Sequence, residues 1–172
     1  MAFKTIGSFD PHGAPILRRE IIANSATRTE ADSVKLASGF IAAGTAGALV
    51  FGHVVGISDK NQVGMNTTGA AGAEIGSYVN AFTVASDNQT VAKVTAVCDV
   101  SKHTLVSAPF ETAIGTTTGS DLPGYYCDLD SATELDESDT TTTTMQYALW
   151  GVDPENSANA IANIYESQVF GV

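Results

Sequence analysis

Residues 90–100 read TVAKVTAVCDV, with Ala92, Val94, Ala96, Cys98 and Val100 at every second position and Lys93 and Thr95 between them. A two-residue period is that of a strand with one face in a core. It predicts a strand over 90–100, with Cys98 as a small core residue. Shorter apolar runs predict further strands at 104–110, 125–129, 145–152 and 161–169. Trp150, in the third of these, is expected inside the core, where single tryptophans on strands usually pack. Upstream, Ile16-Leu17-Arg18-Arg19-Glu20-Ile21-Ile22 has apolar ends around a charged centre. Gly7, Pro11, Gly13 and Pro15 break any helix before it, so residues 1–30 read as an extended arm carrying one strand with no evident partner. A polar connection at 24–33 leads to the sheet that begins at Val34.

The longest uncharged run, GFIAAGTAGALVFGHVVGI at 39–57, is long enough to cross a bilayer as a helix of about 20 residues. Gly39, Gly44, Gly47, Gly52 and Gly56 argue against that helix, each costing roughly 1 kcal/mol relative to alanine. No aromatic belt or lysine/arginine bias flanks the run. Split at Gly44 to Gly47, it becomes two apolar strands, 40–43 and 48–57, joined by a glycine turn. No membrane span is predicted.

Glycine, threonine, alanine and valine dominate, and the strong helix formers leucine, lysine and arginine are scarce. The expected fold is mainly β: a compact β-barrel or β-sandwich, 31–172, with the extended N-terminal arm, 1–30, and long Gly/Thr-rich loops such as 66–76, while the β-prone threonine tract 140–144 enters the next strand. The start, MAFKTIGSFD, lacks a secretory signal pattern, so the product is expected to stay where it is synthesised, with Cys98 and Cys127 as thiols in a reducing cytosol.

Charge is divided unevenly. Residues 1–102 hold all eight basic residues and eight acids, whereas 103–172 hold eleven acids and no lysine or arginine, so the net charge of −11 lies in the last seventy residues. Phosphate backbones bind clustered lysine and arginine, and this distribution argues against a nucleic-acid partner. The acidic segment 128–139, DLDSATELDESD, carries Asp128, Asp130, Glu134, Asp136, Glu137 and Asp139. As a calcium loop it is wrong at two places, with Thr133 at the glycine position and Asp139 at the closing glutamate position. It reads as an exposed, solvated loop. No GxSxG, GxxxxGK[ST] or HExxH motif occurs. His12, His53 and His103 are scattered, His53 within the apolar strand as a hydrogen-bonded structural residue, and Ser120-Asp121 has no histidine linked to it by sequence. Neither catalysis nor a cofactor is expected.

Three stretches carry a resemblance: VKLASGFIAAGTAGALVFGHVVGI, IGTTTGSDLPGYYCDLDSATELDES and ALWGVDPENSANAIANIYESQVF. They are similar to the decoration, or cement, proteins of tailed-bacteriophage capsids. The resemblance implies a non-enzymatic virion structural protein on the outer capsid surface. Its partner would be the major capsid protein, and such proteins often assemble as homo-oligomers, trimers at local threefold positions. The strand of Ile16, Leu17, Arg18, Arg19, Ile21 and Ile22 is the candidate contact, adding to a neighbouring sheet edge by backbone pairing, with many copies acting together. Two alternatives are a tail or fibre component, for which repeats or a coiled stalk are missing, and a carbohydrate-binding β module. The latter needs exposed aromatics on one face, where the sequence offers Trp150 alone and the pair Tyr125-Tyr126.

Overall fold

The computed structural model describes residues 3–10, 13–59, 81–92, 94–111, 124–136, 146–165 and 167–169. The expected loop at 66–76, the threonine tract 140–144, His12, Ser120-Asp121, Glu137 and Asp139 lie outside the described residues. In chain order the elements are β1 Lys4–Ser8, β2 Leu17–Ile21, β3 Thr27–Thr29, β4 Ser33–Ala37, β5 Phe40–Ala43, β6 Gly52–Asp59, β7 Ala81–Thr83, α1 Asn88–Val91, β8 Val94–Asp99, β9 Thr104–Pro109, β10 Tyr126–Ser131, β11 Glu134–Asp136, β12 Tyr147–Asp153 and β13 Asn156–Ile164.

The protein is mainly β. A six-stranded antiparallel sheet runs β1-β9-β13-β12-β10-β11, a five-stranded one β2-β8-β6-β4-β5, and β3 pairs with β7. Each large sheet gathers its own apolar cluster. Val106, Leu129, Tyr147, Leu149 and Ile164 belong to the first, and Ile22, Val34, Ile41, Val54, Ile57, Ala96 and Cys98 to the second. Isolated parallel bridges add to the ladders: Phe110, just after β9, meets Leu135 of β11 in the first sheet, and Ile22, just after β2, meets Ile41 of the opposite edge strand β5 in the second. Single bridges are not ladders, and among the described residues neither sheet closes into a barrel.

The apolar run 39–57 forms strands, as its glycines require. Its two halves do not pair with each other, because β4 lies between β5 and β6. Ser38 and Gly39 make the two-residue turn from β4 to β5 with φ of 52° and 84°, the double positive φ that matches sheet twist. Gly52 sits where β6 crosses close to Asp99, and a Cβ there would run into the Asp99 carbonyl. The strand expected at 90–100 is shorter. Asn88–Val91 form one helical turn that Ala92 ends in the left-handed region, and β8 starts at Val94. From there Val94, Ala96, Cys98 and Val100 share a core face as expected, while Thr95 and Asp99 on the other face are also buried.

The expectation that the Ile16–Ile22 strand lacks a partner is corrected. β2 pairs along its length with β8, Leu17 opposite Asp99 and Ile21 opposite Thr95, and β1 pairs with β9. The partner strands lie roughly eighty residues later for β2 and a hundred for β1, too far for a hairpin signal to reveal. β8 passes directly into β9, so the two sheets meet at a corner where the 100–103 crossing lies beside the two ends of the β1-to-β2 crossing, Phe9 and Ile16. Backbone bonds from Phe9 N to His103 O and from Val100 N to Ile16 O tie the crossings together, at 3.2 and 2.9 Å. Corners of this kind let strands switch sheets without leaving backbone groups unpaired.

Candidate functional site

Of the six residues expected to dock, three face solvent. Ile16 and Leu17 are 43% and 55% exposed, and Arg18 is exposed. Ile22 is buried in the core of the five-stranded sheet, and Ile21 is half-buried. Arg19 reaches across its own sheet, donating to the Ser58 hydroxyl and to Thr95 Oγ1 at 3.1 Å. β2 is nevertheless an edge strand, laddered to β8 on one side.

The acidic segment is not one exposed loop. Its first nine residues form the β10–β11 hairpin, with Asp128 opposite Asp136. Asp128 is 2% exposed and accepts the Gly47 N–H at 2.7 Å. Beside it, Gln146 receives the Leu129 N–H at 2.7 Å and donates to the carbonyls of Thr45 and Ala48. A carboxylate and an amide thus hold the turn after β5 against the six-stranded sheet, because buried backbone groups in a turn need partners. Asp130 is exposed, and Glu134 and Asp136 are half-buried. Among the described residues no histidine, cysteine and carboxylate group is arranged to hold a metal ion.

Three polar side chains meet where the sheets touch. Tyr147 Oη lies 2.7 Å from Ser33 Oγ and 2.9 Å from His53 Nε2, with the Phe3 ring against both aromatic groups. Burial lowers the His53 pKa to about 4 against a smaller opposing pull from Asp99, and burial raises that of Tyr147. His53 is therefore neutral near pH 7 and serves as a hydrogen-bonded structural residue, as its place in an apolar strand implies. Burial likewise raises both thiols, Cys98 and Cys127, which leaves them poor nucleophiles. A cavity of about 420 Å³ opens beside this cluster, lined by Phe3, Thr5, Glu30, His53 and Val106 among others.

Trp150 overturns the sequence expectation. It is 51% exposed on the face of the six-stranded sheet opposite its core. Its neighbours Tyr147 and Leu149 fill the inner face, and the two-residue period turns Trp150 outward. Its Nε1–H donates to Asn163 Oδ1 at 2.7 Å. The Phe9 ring stacks on it with centroids 5.5 Å apart and planes at 30°. Farther along the face, Tyr126 and Tyr165 pack at 4.5 Å and Lys102 lies over Tyr165. Sequence reading missed this surface because Phe9 and Trp150 are brought together only by the corner. The aromatics that seemed isolated are gathered on one side of a sheet.

A groove of about 380 Å³ lies on the same sheet, lined by Lys4, Ile6, Asp153, Glu155 and Ile161 among others. Asp153 accepts from the Ser107 hydroxyl and the Glu155 N–H. These hydrogen bonds, the Ser107 one foremost, hold its carboxyl below the usual range. Asn159 Nδ2 donates to the same Ser107 oxygen at 2.8 Å. Lys4 pairs with Glu155 at 3.5 Å. Comparison of the chain with known families, with curated proteins and with solved structures gives no match.

Proposed function

We propose that the chain is a non-enzymatic structural protein of a tailed-bacteriophage virion that binds the outer surface of the assembled capsid through β2 and stabilises the shell. The observation that carries this reading is the edge strand itself. β2 has its ladder on one side and presents Ile16, Leu17 and Arg18 to solvent, so a strand of the major capsid protein can extend the five-stranded sheet by backbone pairing while Leu17 enters a pocket on the partner. Charge supports the same orientation. The five-stranded sheet is built from residues 17–99, within the part of the chain whose basic and acidic residues balance, and approaches an acidic lattice without strong repulsion. The six-stranded sheet, whose later strands carry Asp128, Asp130, Glu134, Asp136 and Asp153, is left toward solvent. Homo-oligomers, trimers at local threefold positions, place several such strands on one capsid site, and their contacts add by effective concentration.

Co-sedimentation with purified capsids stripped of this chain tests the proposal. Leu17→Asp places a charge in the middle of the contact and is expected to weaken attachment at least about tenfold, the equivalent of about 1.4 kcal/mol, with an unchanged circular dichroism spectrum. Undiminished attachment, or electron microscopy that locates the chain in the tail, would overturn the capsid reading.

A further inference from the structure

We propose that the outer face of the six-stranded sheet is a binding site for a neutral oligosaccharide, one sugar ring stacking on Trp150 and the adjoining unit lying in the groove beside Lys4 and Asp153. The site rests on observations separate from those for β2.

The indole is exposed and yet held. Asn163 fixes its N–H, and Asn163 is itself pinned by bonds from Nδ2 to the carbonyls of Lys102 and Ile164 at 2.7 and 3.0 Å. Phe9 supports one side of the ring. A flat apolar platform kept in place before any ligand arrives loses little side-chain entropy on binding.

The groove is in register with that platform. Lys4 lies opposite Ser107, Ser107 opposite Ile161, and Ile161 opposite Gly151, the residue after Trp150. The row crosses four strands on one face. Its volume falls within the range of small-molecule sites, which are apolar with a few placed polar groups. Ile6 and Ile161 supply the apolar floor, while Lys4 and the anchored carboxylate of Asp153 supply a donor and an acceptor. A sugar has matching parts: a C–H face for the ring and hydroxyls that both donate and accept.

Charge selects a neutral ligand. The molecule is strongly anionic, which disfavours anions. The groove carboxylates are already engaged, Asp153 by Ser107 and the Glu155 N–H, and Glu155 by Lys4, which limits their pull on a cation.

Trp150 is the only tryptophan in the chain, so intrinsic emission reports on this site alone. The full chain, free of capsids, is titrated with cellohexaose, maltohexaose and chitohexaose. A saturable change in emission is expected with at least one, with a midpoint at or below about 1 mM, the affinity range of about −4 kcal/mol. Phe9→Ala is expected to raise that midpoint at least fivefold, and Trp150→Ala to abolish the heat of binding in calorimetry, both with unchanged circular dichroism. The proposal is overturned by no saturable response to any of the three sugars, or by binding that survives Trp150→Ala. It is also overturned if acrylamide reaches Trp150 in the free protein and is excluded on capsids, which would make the face a protein contact. Because the sugars are tested on the free chain, failure of capsid attachment leaves the outcome independent.

Discussion

His53 shows what one side chain contributes when it is buried neutral. Its folded pKa, about 4, lies below the ordinary 6.5. The unfolded chain therefore binds the extra proton first as pH falls. Stability from His53 is full above about 6.5 and is lost progressively down to about 4, by about 3 kcal/mol across that window. Asp32, whose carboxyl is raised chiefly by burial, has the opposite sign and gains stability on protonation. The test is therefore a difference: urea midpoints of the protein and of His53→Gln, compared between pH 7 and pH 4.5. The parent is expected to lose markedly more stability than the variant over that interval, and equal slopes would assign the acid sensitivity elsewhere. Tyr147 belongs to the same argument, since its hydroxyl gives the buried side chains of both His53 and Ser33 a partner.

At the scale of elements, the corner between β8 and β9 is held by one buried carboxylate. Asp99 Oδ1 accepts the Ser101 N–H and hydroxyl at 2.9 and 2.6 Å, and Oδ2 accepts from Thr104 at 2.7 Å. Ser101 Oγ in turn receives the Ile16 N–H at 2.6 Å, so the entry into β2 hangs on the same residue. Asp99→Ala removes the acceptor and strands three donors. A loss of about 3 kcal/mol is expected, within the range for charged hydrogen bonds whose partners stay buried. Asp99→Asn keeps the shape and is expected to lose less. Denaturant midpoints read both, and hydrogen exchange is expected to rise first at the amides of Phe9, Ile16, Val100 and Ser101. The alternation in β8 was legible because its core face is uniform. The pairing of β2 was not, since a strand's partner at eighty residues' separation leaves no local mark.

For the molecule as a whole, the topology converts a division of charge along the chain into a division in space. The five-stranded sheet is drawn from residues 17–99, and the six-stranded sheet, apart from β1, from residues after 103. The half built from the later residues is acidic and the other is near balance. Replacing Asp130, Glu134 and Asp136 by asparagine, glutamine and asparagine is expected to leave capsid attachment within about twofold, since exposed charges distant from a contact are screened. It is expected to lower solubility at low salt, where like charge keeps particles apart. Loss of attachment in that triple variant, measured by co-sedimentation, would move the contact to the hairpin. Asp128 is left out of the set, because it anchors the Gly47 turn and its loss would be read as unfolding.

By itself the sequence determined the class of structure and the place of several strands, while β1, β3, β7 and β11 were not expected and the last strand runs Asn156–Ile164 where 161–169 was expected. Alternation at 94–100 and the glycines of 39–57 are local signals, and sterics and burial act on them residue by residue. It also determined that His53 would be a structural histidine and Cys98 a core residue, since both sit in runs with no alternative to burial. Only the tertiary structure decided which strands pair, that Asp128 is an anchor within a segment that reads as solvated acid, and that Trp150 faces out beside Phe9. Those outcomes depend on register and on the corner, set by contacts between residues tens of positions apart. A one-residue difference in facing carries an aromatic from the core to the surface while the sequence pattern around it stays the same.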